Sequence, residues 1–98
     1  MNIGKKIKAI RIAEGLKREE ISNLTSIPRG TVRNIEQGVG RPSSETLEKI
    51  TKHERFKKYA FWLMTDETLP ESGQIAPDFS ILLECGIVNA EDDAAKRA

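Results

Sequence analysis

The 98-residue sequence holds one cysteine, Cys85, and one histidine, His53. A lone thiol cannot close an internal disulfide, so a secreted disulfide scaffold and a zinc finger are excluded, and the reducing cytoplasm fits. No Cys or carboxylate set stands at ligand spacing around His53, which is expected to face solvent or a helix end and not a metal. Cys85 has no neighbouring cations and reads as a small apolar residue. The aromatics number five, and no apolar run approaches the roughly 20 residues of a spanning helix, so membrane insertion is not expected. The N-terminus MNIGKKIKAIRIAEG scatters lysines among its apolar residues where a secretory leader has an unbroken apolar core. No strand precedes Gly38, Val39 and Gly40 and no Gly-Lys-Ser/Thr follows them, so they form no phosphate cradle. No Ser/His/Asp set has a supporting context. Neither an enzyme nor a cofactor, metal or small-molecule substrate is expected.

What remains is charge and helical pattern. Hydrophobic residues make up 38% and charged residues 32%, the balance of a soluble, helical single domain with a thin core. The net charge of +1 conceals a division: residues 1–59 carry fourteen Lys/Arg against seven Asp/Glu, and residues 60–98 carry two against eight. Such asymmetry points to a basic part that meets a polyanion and an acidic part with another task. The acidic cluster Glu91, Asp92 and Asp93 reads as solvated tail.

Apolar residues recur at Ile3, Ile7 and Ile10, one face of a helix over residues 3–14 with Asn2 as its N-cap, Gly15 as its stop and Lys5, Lys6, Lys8 and Arg11 on its other faces. A second helix, with Ile21 and Leu24 inward and Glu19 and Glu20 in its first turn, ends near Thr25. Pro28 opens a third, with Val32 and Ile35 inward, which Gly38, Gly40 and Pro42 terminate. Ser43 or Ser44 caps a fourth, ahead of Leu47 and Ile50. In the fifth run, ERFKKYAFWLM, Phe56, Tyr59, Ala60 and Leu63 share a face while Phe61, Trp62 and Met64 add apolar surface elsewhere. That helix is apolar on too many sides for a monomer. Pro70, Gly73 and Pro77 then break any helix, leaving room for one short strand that needs a partner. SILLECGIVNAEDDAAKRA is compatible with helix, strand or disorder.

Residues 18–38, REEISNLTSIPRGTVRNIEQG, pair two short helices across a tight connection, with Ile21, Leu24, Ile27, Val32 and Ile35 inward. This is the pattern of a helix-turn-helix, whose second helix lays its outward residues against base edges in the major groove. Those positions here are Arg29, Gly30, Thr31, Arg33 and Asn34. Arginine donates two hydrogen bonds to guanine O6 and N7, and asparagine pairs with adenine N6 and N7. Gly30 leaves room for close approach, and Thr31 meets a phosphate or a thymine methyl. Lys17, Arg18 and Arg41 are candidate phosphate contacts.

These residues resemble the Cro/CI-type helix-turn-helix family over roughly residues 3–64, a resemblance that implies a five-helix domain. Ile35, Glu36, Gln37 and Gly38 match the family's usual exit, and RPSSETLEKI its usual entry to helix four. The chain departs from the family's habit at Arg18, where glutamine is usual, at Ser22, where alanine is, and at Ser26, where glycine is. The stretch FKKYAFWLMTDETLPESGQIAP is further similar to the C-type immunity repressors of Peduovirus-type temperate phages. That resemblance implies repression of lytic transcription by a homodimer held through helix five and a strand near residues 74–76.

The expectation is therefore an all-α, five-helix domain over residues 1–65, a dimerisation arm with a short β-strand over 66–80, and a tail over 81–98. It would bind double-stranded operator DNA in the bacterial cytoplasm, on the nucleoid, with Phe61, Trp62, Met64, Gln74, Ile75 and Ala76 at the dimer contact. A second reading is an antitoxin, whose helix-turn-helix regulates its own operon while residues 77–98 neutralise a toxin. A third is an activator or antirepressor on the same scaffold.

Overall fold

The computed structural model describes residues 2–89. Among these the chain forms six α-helices: α1 (Ile3–Ala13), α2 (Arg18–Thr25), α3 (Arg29–Glu36), α4 (Ser44–Thr51), α5 (Ala60–Thr65) and α6 (Phe79–Glu84). Local chemistry sets their limits. The Asn2 side chain accepts the Lys5 N–H at 3.1 Å and Ser43 Oγ accepts the Thr46 N–H at 3.1 Å, each satisfying an orphan donor of a first turn. Gly15 ends α1 in the left-handed region at φ +69°.

Helix α1 is the hub, packing against α3, α5 and α6. Its Ile7, Ala9 and Ile10 meet Ile21, Ile27, Val32, Ile35, Ile50, Phe56, Trp62, Leu63 and Leu82 in one buried cluster. Gly4 brings α1 hard against the last turn of α3, since a Cβ there would lie 2.1 Å from the Ile35 carbonyl oxygen.

The structure corrects several sequence expectations. Lys6 is buried, not surface. Its aliphatic stem follows the apolar face while its ammonium donates to the carbonyls of Trp62 (3.2 Å) and Leu63 (3.0 Å), pairs with Asp66, and lies 5.3 Å from the Trp62 ring centroid. The amine thus caps the carbonyl end of α5, where a cation meets the negative end of the helix dipole. Its hydrogen bond holds the Asp66 carboxyl below its ordinary range. Leu24 is exposed and Thr25 is buried in its place, with Thr25 Oγ1 donating to the Ile21 carbonyl at 2.7 Å. The fifth run divides into a 3₁₀ turn (Lys57–Tyr59) and α5. Helix α6 is additional to the five expected, and its Leu82, with Cys85, joins the core. No strand forms among the described residues. Leu69 and Gln74 make one isolated antiparallel bridge, with N–H to O distances of 2.9 and 3.0 Å, across the 3₁₀ turn Pro70–Ser72. The cluster Glu91, Asp92 and Asp93 lies outside the described residues.

A second polar network fastens the end of α1 to the segment before α5. The Glu14 carboxylate accepts from Tyr59 Oη (2.8 Å), Lys58 Nζ (3.0 Å) and Arg55 Nε (3.3 Å), and the Glu14 carbonyl accepts from Arg55 Nη2 at 2.8 Å. Burial alone would raise the Glu14 carboxyl, but the hydrogen bonds from Tyr59, Lys58 and Arg55 outweigh it and hold the group below its ordinary range. A carboxyl depressed on folding contributes stability above its unfolded pKa and loses it as pH falls through the folded value. Thermal melts from neutral pH to about pH 3 should therefore show the midpoint dropping through the carboxylate range. The Glu14→Gln protein should melt lower at neutral pH and vary less with acid; an unchanged slope would remove Glu14 as a source of the dependence.

Candidate nucleic-acid interface

Helices α2 and α3 meet across residues 26–28, and the connection is pinned from both sides. Ser26 takes the left-handed conformation (φ +63°) that usually goes to glycine, and its N–H donates to the Ser22 carbonyl at 2.9 Å. Ser22 Oγ donates to the Ile27 carbonyl at 2.5 Å. A hydroxyl where the family usually has alanine therefore adds a tie across the turn.

Helix α3 buries Val32, Ile35 and Glu36 on one face. The opposite face leaves Arg29, Gly30, Arg33 and Asn34 exposed and Thr31 half-buried. Between the starts of α2 and α3 lies an open cleft of about 600 Å³, lined by Arg11, Lys17, Arg18, Glu19, Arg29, Gly30 and Arg33. It gathers two of the predicted phosphate contacts, Lys17 and Arg18, with three of the predicted base readers. Thr31 and Asn34 lie outside that lining. Arg41 is exposed at the other end of α3, beside Asn2, Gly4, Gly38 and Gly40 around a second hollow of about 250 Å³. Nothing among the described residues brings Arg41 to the larger cleft.

Beneath the cleft is an ion triad that the sequence reading did not single out. Glu36 Oε2 accepts from Arg11 Nε at 2.8 Å, and Oε1 accepts from Arg11 Nη2 at 2.9 Å and Arg18 Nε at 3.1 Å. Arg11 Nη1 donates to the Leu16 carbonyl at 2.9 Å. One carboxylate thereby joins α1, α2 and α3. The signal was available in the helix period, since Glu36 stands one and four residues beyond Ile35 and Val32, on the inward stripe.

The six residues expected at a dimer contact fare differently. Met64 is 59% exposed, Ile75 is 40% exposed, and Phe61 and Ala76 are half-buried. Trp62 is corrected: it is 3% exposed, packed inside its own protomer under the Lys6 ammonium, and offers a second copy almost no surface. Gln74 is engaged within the chain, accepting the Phe61 N–H at 2.9 Å and donating to the Lys57 carbonyl at 3.0 Å, and so caps α5. Phe61, Leu69, Ala76, Leu82 and Val88 line a groove of about 500 Å³ beside α5. His53 accepts the Arg55 N–H through Nδ1 at 3.1 Å and lies against Phe56, ring centroids 4.9 Å apart. Cys85 is buried, and burial pushes its thiol up.

No helix among the described residues is long and apolar enough to cross a membrane. The helix-turn-helix family matches residues 7–53, which include the cleft and all three members of the triad. The chain is also 39% identical, over 75 residues, to Repressor protein C of Escherichia phage P2, a match that spans 76% of each protein. The chain belongs to the helix-turn-helix family, in the branch that contains this phage repressor.

Proposed function

We infer that the protein is a transcriptional repressor that binds operator DNA as a homodimer and maintains prophage lysogeny by covering a lytic promoter. The observation that carries this reading is the exposed face of α3, with Arg29, Gly30 and Arg33 opening onto a cleft that Lys17 and Arg18 also line. A short helix packed down on one side, with guanidiniums along the other, suits entry into a major groove. Arg29, Gly30, Thr31, Arg33 and Asn34 are the proposed base contacts, and Lys17, Arg18 and Arg41 the proposed phosphate contacts. Helix-turn-helix dimers place their reading helices about 34 Å apart, one helical turn of DNA. The exposed Met64 and Ile75, with Phe61 beside them, are the apolar surface proposed for the twofold contact. The backbone around the Leu69–Gln74 bridge is where a partner strand would add to the arm. The arm begins after residue 65, at the end of α5, whereas a boundary at residue 80 would cut α6, whose Leu82 belongs to the core.

A footprint on DNA flanking the protein's own gene tests the reading, with protection expected over two stretches one helical turn apart. On the site so found, Arg33→Ala and Asn34→Ala should each weaken binding by about 1–3 kcal/mol relative to random duplex. Arg18→Ala should weaken both DNAs alike. Equal losses on operator and random DNA for all three variants would contradict the division into reading and positioning residues.

A further inference from the structure

We propose that Glu36 is a positioning residue for DNA binding, which holds the Nε edge of Arg18 so that the far end of that guanidinium faces a backbone phosphate in the α2–α3 cleft. The proposal rests on the DNA-binding reading above and adds to it a buried residue that never touches DNA.

Arg11 alone already satisfies the buried carboxylate. It reaches both oxygens of Glu36, at 2.8 and 2.9 Å, and spends its remaining amino group on the Leu16 carbonyl. The ion pair is complete without Arg18, yet Arg18 Nε also donates to Oε1 at 3.1 Å. Among the described residues this is the one hydrogen bond of the Arg18 side chain, and it leaves both terminal amino groups of the fork. Two cations around one carboxylate leave a net positive charge. Both arginines line the cleft with Lys17, Arg29 and Arg33, but Arg11 is 13% exposed with all three of its nitrogens engaged, whereas Arg18 is 33% exposed and engaged through Nε. The surplus charge is therefore presented at Arg18, towards the side where α3 meets DNA. A guanidinium suits this task because its planar fork can rest one edge on a carboxylate and offer the other to a phosphate. Anchoring it in advance removes part of the ordering cost of contact, and the carboxylate offsets repulsion from the neighbouring arginines.

Binding of a labelled duplex of arbitrary sequence, about 20 base pairs long, followed by fluorescence anisotropy between about 50 and 200 mM salt, tests the proposal. Arg18→Ala should lower the slope of log affinity against log salt by about 0.9, one phosphate contact. Arg18→Lys keeps the charge but has no fork to share between Glu36 and a phosphate, so at about 150 mM salt its affinity should fall with Arg18→Ala and not with the parent. Glu36→Gln should weaken binding in the parent and have no further effect in the Arg18→Ala background, with circular dichroism used to confirm folding. Parent-like binding by Arg18→Lys, or an equal loss from Glu36→Gln in both backgrounds, overturns the proposal while the DNA-binding reading stands. If Glu36→Gln does not fold, Arg18→Lys decides alone. A parent that ignores duplex DNA at low salt overturns both.

Discussion

Replacing Glu36 with alanine is expected to lower the free energy of unfolding by about 3–5 kcal/mol, read from urea denaturation. The Glu36 side chain is fully buried and engages two arginines, so its loss leaves cations beneath the cleft with no counter-charge. Arg18 can turn to water, but Arg11 is fixed between α1 and α3 and cannot readily follow. Removing one partner of a buried pair costs more than the pair contributes net, because desolvation of the survivor is no longer compensated. Small domains have roughly 5–15 kcal/mol in all, so the variant should lie near the folding threshold at room temperature. Glu36→Leu combined with Arg11→Met should recover part of the loss, since an apolar pair of similar volume carries no charge to desolvate. A Glu36→Ala midpoint within error of the parent would show that water reaches the triad and that its charges act as surface groups.

Gly4→Ala should destabilise by about 1–3 kcal/mol, the range for overpacking a tight contact. Elsewhere in a helix this substitution gains up to about 1 kcal/mol, because alanine is the best helix former and glycine a poor one. Here the added methyl would stand 2.1 Å from the Ile35 carbonyl oxygen and 3.1 Å from Asn2 Oδ1. The first of these is backbone, so α1 and α3 must separate. Because α1 supports the last turn of α3, operator affinity should fall along with stability. Gly30→Ala is the matched comparison: it lies in α3 with nothing within 4 Å of the new methyl, and should stabilise the free protein by about 0.5–1 kcal/mol. If Gly4→Ala proved as stable as Gly30→Ala, the close approach of α1 to α3 would be refuted.

Much of the fold was legible because it rests on local periodicity. Ile7 with Ile10, Val32 with Ile35, and the cap at Asn2 all lie within a turn or two of one another in the chain, and each stands where its spacing put it, while of the two serines open to the fourth helix it is Ser43 that caps. Leu24 was misplaced because an eight-residue helix has little pattern to average, and Thr25 buries its hydroxyl on the Ile21 carbonyl instead. Lys6 was misplaced because its acceptors at Trp62 and Leu63 come from the far end of the chain, a pairing that no helical period encodes. Trp62 reads as surplus to a monomer because the pattern of residues 81–98 does not by itself decide between helix, strand and disorder. With α6 formed, Leu82 lines the same groove as Trp62, and the protomer itself supplies the apolar neighbours that a second copy would otherwise provide. The outward set on α3 was legible for the same reason as its core: two buried residues three apart determine where the remainder point. The triad was not, because the inward stripe gives the face of Glu36 but not its partners, Arg11 and Arg18, which come from two other helices.

The Lys6 ammonium also bears on where this fold can be cut. A fragment ending at residue 53, the limit of the family match, would retain that cation and discard both carbonyls and the carboxylate that receive it. It would also strip Trp62, Leu63 and Leu82 from the side of α1 they cover. Such a piece carries every group proposed to touch bases yet has lost the floor beneath its first helix, so the smallest autonomous reader of DNA in this chain extends well past the segment that reads.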